Sequence, residues 1–203
     1  MSRSDCIKNQ PEIFKFTAKN SKAAKAEIAK YPKGWQESAV MPLLDLAQRQ
    51  NDGWLSRAAI DTVSKMLSMA PIRVYEVATF YTMYNLEPIG KHHVQICTNL
   101  PCWLRGSENI VHTCKKFLAI DMNMTTKDRK FTLSEVECLG ACANAPMMQI
   151  GDDYYEDLDA QSTRKILEEL KVGNLPKTGS QTGRQRSKPV IRSSSLTTQK
   201  GDK

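Results

Sequence analysis

Through the first half of the chain apolar residues recur at helical spacing, and through the second they alternate as strands do, with the change near residue 90. The segment 22–30 is rich in good helix formers and stops at Tyr31-Pro32. A second helix is expected from Ser38, a plausible N-cap, to Gln50. Its stripe is Val40, Leu43, Leu44 and Ala47, and Pro42 falls in the tolerant first turn. Asn51-Asp52-Gly53 ends it. Ser56 caps a third helix with Ala59, Ile60, Val63, Met66 and Leu67 on one face. Pro71 opens a fourth with Val74, Val77, Ala78 and Tyr81. Together these predict a small helical bundle over 21–87, preceded by an extension over 1–20. Phe80, Tyr81, Met83 and Tyr84 are each expected in the core. The bundle as a whole, which brings no metal ligand or catalytic group, is expected to attach the chain to a partner.

Glu87-Pro88-Ile89-Gly90 reads as a turn and a domain boundary, opening a second domain over 88–173. Val94 and Ile96 alternate with Gln95 in a strand that ends at Cys97. A helix over 107–119 carries Ile110, Val111, Cys114, Phe117 and Leu118, and Phe131 to Val136 is a second strand. The resulting βαβ unit should be parallel and right-handed. Met147–Ile150 and Tyr154–Glu156, joined by Gly151-Asp152-Asp153, form a hairpin, and Asp159 caps a last helix with Thr163, Ile166, Leu167 and Leu170 inward. The order β-α-β-β-β-α matches a reduced thioredoxin-like fold, so the fold class is a helical bundle followed by a mixed α/β domain.

Charge changes the picture only once it is located. The net +7 of the 203 residues sits mostly in 177–203, where seven Lys or Arg against one Asp give +6 and leave +1 for the rest. No nucleic-acid groove is therefore expected. Residues 174–203 are Ser-, Thr-, Gly- and Lys/Arg-rich and are expected to be disordered alone. A strap across a partner is the alternative, with Arg184, Arg186, Lys188 and Arg192 as contacts and Pro189-Val190-Ile191 as its apolar stretch. No apolar run reaches the length of a membrane span. The start, residues 1–10, has no secretory h-region and is short for a transit peptide. A cytoplasmic location is expected, with any membrane association indirect.

Candidate chemistry lies in the cysteines. Four of the six form two tight pairs, C-T-N-L-P-C at 97–102 and C-L-G-A-C at 138–142, separated by 35 residues. Soft sites of four thiolates select zinc or an iron–sulfur cluster. The wide first pair and the small residues Gly140, Ala141, Ala143 and Ala145 lean towards a cluster, whose sulfides accept close backbone N–H groups. A zinc-stabilised interaction module remains open, and a thiol–disulfide pair is weaker because neither pair is C-x-x-C. Cys114 lies on an apolar helical face as a core residue, and Cys6 sits in a polar terminus. Glu135, Glu137 and Arg105 flank the pairs as surface charges. The ten glycines make no G-x-G-x-x-G or Walker A loop, and His92, His93 and His112 lack a nucleophile partner. No nucleotide site and no catalytic residue is expected on this chain.

The cysteine pairs, with G-W-L-S at 53–56, T-F-Y-T-M-Y at 79–84 and P-I-G-K at 88–91, resemble the NuoE-type 2Fe–2S family of NADH:quinone oxidoreductase (complex I), over about residues 20–172. The cysteine pattern alone is shared with thioredoxin-like ferredoxins and with small subunits of NAD-linked hydrogenases and formate dehydrogenases. The resemblance implies a thioredoxin-like 2Fe–2S ferredoxin domain with one cluster on Cys97, Cys102, Cys138 and Cys142. It implies FMN and NADH on a neighbouring flavoprotein subunit only. It further implies a large iron–sulfur subunit as second partner, and a peripheral position on the cytoplasmic face of a bacterial inner membrane, or the matrix side of a mitochondrion.

Overall fold

The computed structural model describes residues 10–184, in two compact units divided between Lys91 and His92. The first is helical: α1 (Ala18–Ile28), a 3-10 turn (Gln36–Ala39), α2 (Val40–Gln50), α3 (Arg57–Leu67) and α4 (Pro71–Phe80). The stripes read from the sequence become its core, with Leu43, Leu44, Ala47, Ala59, Ile60, Val63, Leu67, Val74 and Ala78 all buried. The Ser56 side chain accepts from the Ala59 N–H at the start of α3, and Pro71 opens α4. Helix α1 begins before the good helix formers because Thr17 caps it, and Phe14 and Phe16 pack on this core. Phe14, Phe16 and the Thr17 cap thus tie the start of the described chain to this unit.

Loops of the unit are knitted by side-chain amides. Gln48 accepts from the Asn85 N–H and donates to Met83 O, while Asn85 donates to Gly53 O. Gly53 is required by two constraints: its φ is +84°, and a Cβ there would meet Ile89 Cδ1 at 2.8 Å. The aromatic segment after α4 divides differently from the expectation. Tyr84 is buried and donates its hydroxyl to Met41 O, whereas Phe80 (78% exposed), Tyr81 and Met83 face outward. Phe80, the last residue of α4, falls off the face of Val74 and Ala78, and beyond it helical periodicity no longer carries Tyr81 and Met83 inward.

The second unit is a six-stranded sheet: β1 (His92–Cys97), β2 (Met124–Thr125), β3 (Phe131–Val136), β4 (Met148–Ile150), β5 (Asp153–Glu156) and β6 (Gly179–Ser180), in the order β2-β3-β1-β4-β5-β6. Strands β1 and β3 are parallel, as a βαβ crossover demands, with Cys97 paired to Val136. Strand β4 runs antiparallel to β1 and forms the expected hairpin with β5. The helices are α5 (Leu100–Leu104), α6 (Ser107–Leu118) and α7 (Ala160–Val172). Alternation puts Val94, Ile96, Phe131, Leu133, Met148, Ile150 and Tyr155 into one core with Ile110 and Cys114 of α6 and Ile166, Leu167 and Leu170 of α7. An Asp159–Ser162 capping box starts α7.

Residues 174–184, the described part of the expected tail, are tied to the sheet. Gly173 caps the helix at φ +90°, Pro176 is buried, and β6 pairs parallel with β5. Arg184 lies within the fold rather than free for a partner: its side chain is 15% exposed and ion-paired to Asp157. Arg186, Lys188, Arg192 and Pro189-Val190-Ile191 lie outside the described residues, as does Cys6.

His93, on β1, has its Nε2 2.8 Å from Ser134 Oγ, and burial pushes its pKa down to about 4. Its folded pKa is below the unfolded value near 6.5, so the unfolded chain takes up the proton first and stability falls as pH drops from about 6.5 towards 4. Replacing His93 by Gln removes this effect. Between pH 7 and pH 5, wild type should lose about 2 kcal/mol more than H93Q in urea unfolding; equal losses would show that the histidine titrates freely.

Candidate metal centre

Parallel pairing delivers both cysteine segments to the same end of the sheet. Cys97 is the last residue of β1, and β3 ends two residues before Cys138. Loops leaving the carboxyl ends of adjacent parallel strands share one rim, where open α/β sheets place their sites.

The first segment is rigid and buried. The Cys97 N–H donates to Met147 O and the Thr98 N–H to Val136 O. Asn99 then starts α5: its side chain accepts from the Leu100 N–H, and Pro101 occupies the first turn. This short helix, which the alternation of apolar residues did not disclose, turns Cys102 back beneath Cys97. Both are only 2% exposed and share a small apolar cluster with Ala145 and Met147, against which Leu139, Ala141 and Tyr154 pack. Burial pushes the Cys102 thiol up to about 12, aided by its hydrogen bond with Cys97 and opposed by the Met147 backbone N–H aimed at its sulfur.

The second segment is exposed. Cys138 and Cys142 have their sulfurs 3.2 Å apart, and the Gly140 N–H lies 3.4 Å from Cys138 Sγ. That N–H holds the Cys138 thiol below the usual range, and the hydrogen bond from Cys142 adds to the effect. Its partner Cys142, hydrogen-bonded to Cys138, is raised. Gly140 takes φ +83°, which a side chain would resist. Tyr154 donates its hydroxyl to Leu139 O across the loop, and a 3-10 turn (Cys142–Asn144) leads to the cis Ala145–Pro146 bond.

All four predicted thiols are thus brought to one rim, unbonded to one another as disulfides. The two pairs also sense each other, because the charge of Cys142 acts on Cys102 and that of Cys97 on Cys142. Among the described residues, no three His, Cys, Asp or Glu side chains already stand as a single-ion site. The donors are arranged two and two. Two sulfurs 3.2 Å apart need to open by only about half an ångström to take two vertices of a tetrahedron with metal–sulfur bonds of about 2.3 Å. Soft donors, two backbone N–H groups at sulfur and a dry inner pair therefore fit an iron–sulfur group.

Cys114 is buried in the α6 core, away from these four, as expected. The flanking carboxylates are spent on the loops: Thr98 donates its hydroxyl to Glu135, and Asn99 its amide to Glu137 at 2.7 Å. Arg105 reaches Ala145 O with its Nε at 3.4 Å. Met147, Tyr154, Asp157 and Arg184 support the site unforeseen. Only α5 carried a readable signal, the Asn-x-Pro start.

Comparison with known proteins agrees with this geometry. The family model for thioredoxin-like 2Fe–2S ferredoxins matches residues 24–171. The chain is 60% identical over 156 residues to the E subunit of NADH-quinone oxidoreductase from Rickettsia prowazekii (strain Madrid E), covering 77% of this chain and 88% of that one. It is 50% identical over 192 residues to NADH dehydrogenase (ubiquinone) flavoprotein 2, mitochondrial, of Dictyostelium discoideum, covering 91% and 78% respectively. Among solved structures, an NAD+-reducing NiFe hydrogenase in the H2-reduced state superposes with a TM-score of 0.57 at 19% identity. That match spans 64% of this chain but only 22% of the hydrogenase chain, and it speaks for the fold alone. By the extent of the family match and the close relatives, this chain belongs to the thioredoxin-like 2Fe–2S ferredoxin family.

Proposed function

We propose that this chain is the NuoE-type electron carrier of an NADH:quinone oxidoreductase, holding one 2Fe–2S cluster on Cys97, Cys102, Cys138 and Cys142. The carrying observation is the convergence of two free thiol pairs on one rim of the sheet, in a chain whose close relatives are named as components of that complex. When bound, such a cluster supplies a one-electron centre. A two-and-two donor set is what two irons with two thiolates each would take.

The chain's own residues prepare the site in three ways. Buried Cys97 and Cys102 keep water from one side, and burial makes the Cys102 thiolate costly unless a cation compensates it. Gly140 and Met147 point N–H groups at sulfur, which stabilises thiolate charge. Metal uptake must then release the thiol protons, so loading is favoured as pH rises.

Electron exchange needs a face where a partner's redox group approaches. Helix α5, which carries Cys102, presents Leu100, Trp103 and Leu104 to solvent. Trp103 is held by a hydrogen bond from its Nε1 to Glu108. This is the face we assign to the FMN- and NADH-binding partner, which performs the hydride chemistry. The helical unit offers a second surface: Ile72 and Tyr75, with Leu55, Ile60 and Leu86, line an open groove of ≈ 860 Å³ edged by Glu12, Arg57 and Asp61, and Phe80 and Met83 are also exposed. Exposed apolar and aromatic side chains mark attachment surfaces, and we assign those of the helical unit to anchoring in the complex, beside the flavoprotein and the large iron–sulfur subunit. No helix among the described residues is long and apolar enough to cross a membrane. A peripheral place on the cytoplasmic face, or the matrix side in a mitochondrion, suits such a component.

Protein purified without oxygen should contain about two iron and two acid-labile sulfide per chain. Stoichiometric zinc without iron would overturn the assignment. Serine at Cys97, Cys102, Cys138 or Cys142 should abolish or distort the visible and electron paramagnetic resonance spectra, while Cys114→Ala leaves them intact. Ile72→Asp combined with Phe80→Asp alters only exposed side chains, so the cluster spectrum should persist while recovery of the flavoprotein partner in pull-down falls at least tenfold. Undiminished recovery would remove the anchoring role from this surface.

A further inference from the structure

The segment after α7 makes an ordered return to the cysteine rim that the family match does not reach, since that match ends at residue 171. Strand β6 pairs with β5, placing Gly179 opposite Tyr155 and Ser180 opposite Glu156. The Gln181 N–H donates to Glu156 O, and a turn from Ser180 to Gly183 brings Arg184 back across the end of β5. There its guanidinium pairs with Asp157: Nε donates to Oδ2 at 3.3 Å, and Nη2 lies 3.0 Å from Oδ1 as an ion-pair contact. The ion pair is largely withdrawn from water, with side chains 15% and 8% exposed. Ser180 completes it, donating its hydroxyl to Asp157 Oδ2 at 2.6 Å and accepting from the Arg184 N–H at 3.0 Å.

The same guanidinium also grips the turn that begins with Cys142. Its Nη2 donates to Ala143 O, and to Asn144 Oδ1 at 2.6 Å. Asn144 is buried; it donates its amide to Glu156 Oε2 at 2.6 Å, and its carbonyl accepts from the Asp157 N–H at 2.8 Å. Asp157 itself sits at φ +53°, a left-handed conformation that Asp tolerates better than most non-glycine residues. The loop that needs this support has few anchors of its own. Leu139, Gly140, Ala141, Ala143 and Ala145 bring no polar side chain, and Cys138 and Cys142 are exposed.

We propose that Thr178–Arg184 is a strap whose Arg184 latches the Cys142–Asn144 turn to the end of β5, making Arg184 a positioning residue for the exposed cysteine pair. The proposal rests on the reading that Cys138 and Cys142 hold iron. A latch of this kind acts in two ways. It removes alternative loop conformations, so the second pair is pre-organised to close on metal and slow to let it go. It also neutralises the Asp157 carboxylate near the ligand turn, so that no uncompensated negative charge opposes the added electron of the reduced state. The Arg fork is not replaceable by a point charge, since lysine can hold Asp157 or the turn carbonyl but cannot span both with planar geometry.

The test compares wild type, Arg184→Gln, Arg184→Lys and Ser180→Ala in the full chain, reading release of the bound metal to excess EDTA and the midpoint potential. Arg184→Gln should release iron at least tenfold faster and become harder to reduce. Arg184→Lys should release iron faster than wild type while keeping its potential, which a merely structural role would not separate. Ser180→Ala keeps both charges and should release iron about threefold faster; it decides the matter with Arg184→Lys if Arg184→Gln fails to fold. Release within twofold of wild type in every variant that folds, with unchanged potential, would overturn the latch. A wild-type chain that carries zinc overturns the cluster reading instead, and zinc release, tenfold faster or unchanged in Arg184→Gln, then judges the latch by itself.

Discussion

Parallel pairing of β1 with β3 is the constraint on which the site depends. A hairpin would have sent the two cysteine segments to opposite ends of the sheet. The α6 crossover instead returns the chain in the same direction, so the residues following Cys97 and Val136 leave from one rim. The 35 residues between Cys102 and Cys138 are thus the length of a crossover. The core beneath it, Val94, Ile96 and Leu133 against Ile110, Cys114 and Ile166, keeps that register, because a slip by one residue would turn every inward side chain to the other face.

On that rim the two pairs are built unequally. Cys97 and Cys102 are held by backbone bonds, a capped turn and an apolar surround, which pushes the Cys102 thiol up and makes it poorly reactive without metal. Cys138 and Cys142 lie in a loop of small residues open to solvent, and the Gly140 N–H lowers the first of them. One half of the site excludes water, while the other gives access and depends on its neighbours for rigidity. The ion pair of Arg184 with Asp157 answers that need from a segment remote in sequence, and buried charges persist there because each is paired and further hydrogen-bonded.

Exposed apolar side chains complete the picture on the outside of each unit. Leu100, Trp103 and Leu104 surround the segment carrying Cys102, and Phe80, Tyr81 and Met83 follow α4. Core packing was the expectation for each of the latter three, although only Tyr81 falls at helical spacing on the face of Val74 and Val77. The helix ends at Phe80, with Tyr81 extended at ψ 113°, and the chain then turns them outward while Tyr84 alone returns to bond Met41 O.

Local pattern carried most of the architecture. The stripes of α2, α3 and α4, the caps at Ser56 and Asp159, the alternation of β1 and β3 and the hairpin at Gly151 are each written in a few adjacent residues, because burial of one face is a local requirement. The four candidate thiols stood out for the same reason, as two close pairs of one ligand type. What the sequence could not supply was everything settled by distant partners. The two-residue strands β2 and β6 exist only because β3 and β5 offer free edges. Asn99 gave a readable start for α5, but nothing in the chain says that Cys102 is buried and Cys142 exposed. Arg184 read as part of a solvated basic tail because its composition is that of a tail; tertiary structure decided otherwise, by setting Asp157, Ser180 and the Ala143 carbonyl around one guanidinium. Composition registers the cost of ordering a segment, but the compensating contacts lie up to 41 residues away, and no local pattern records them.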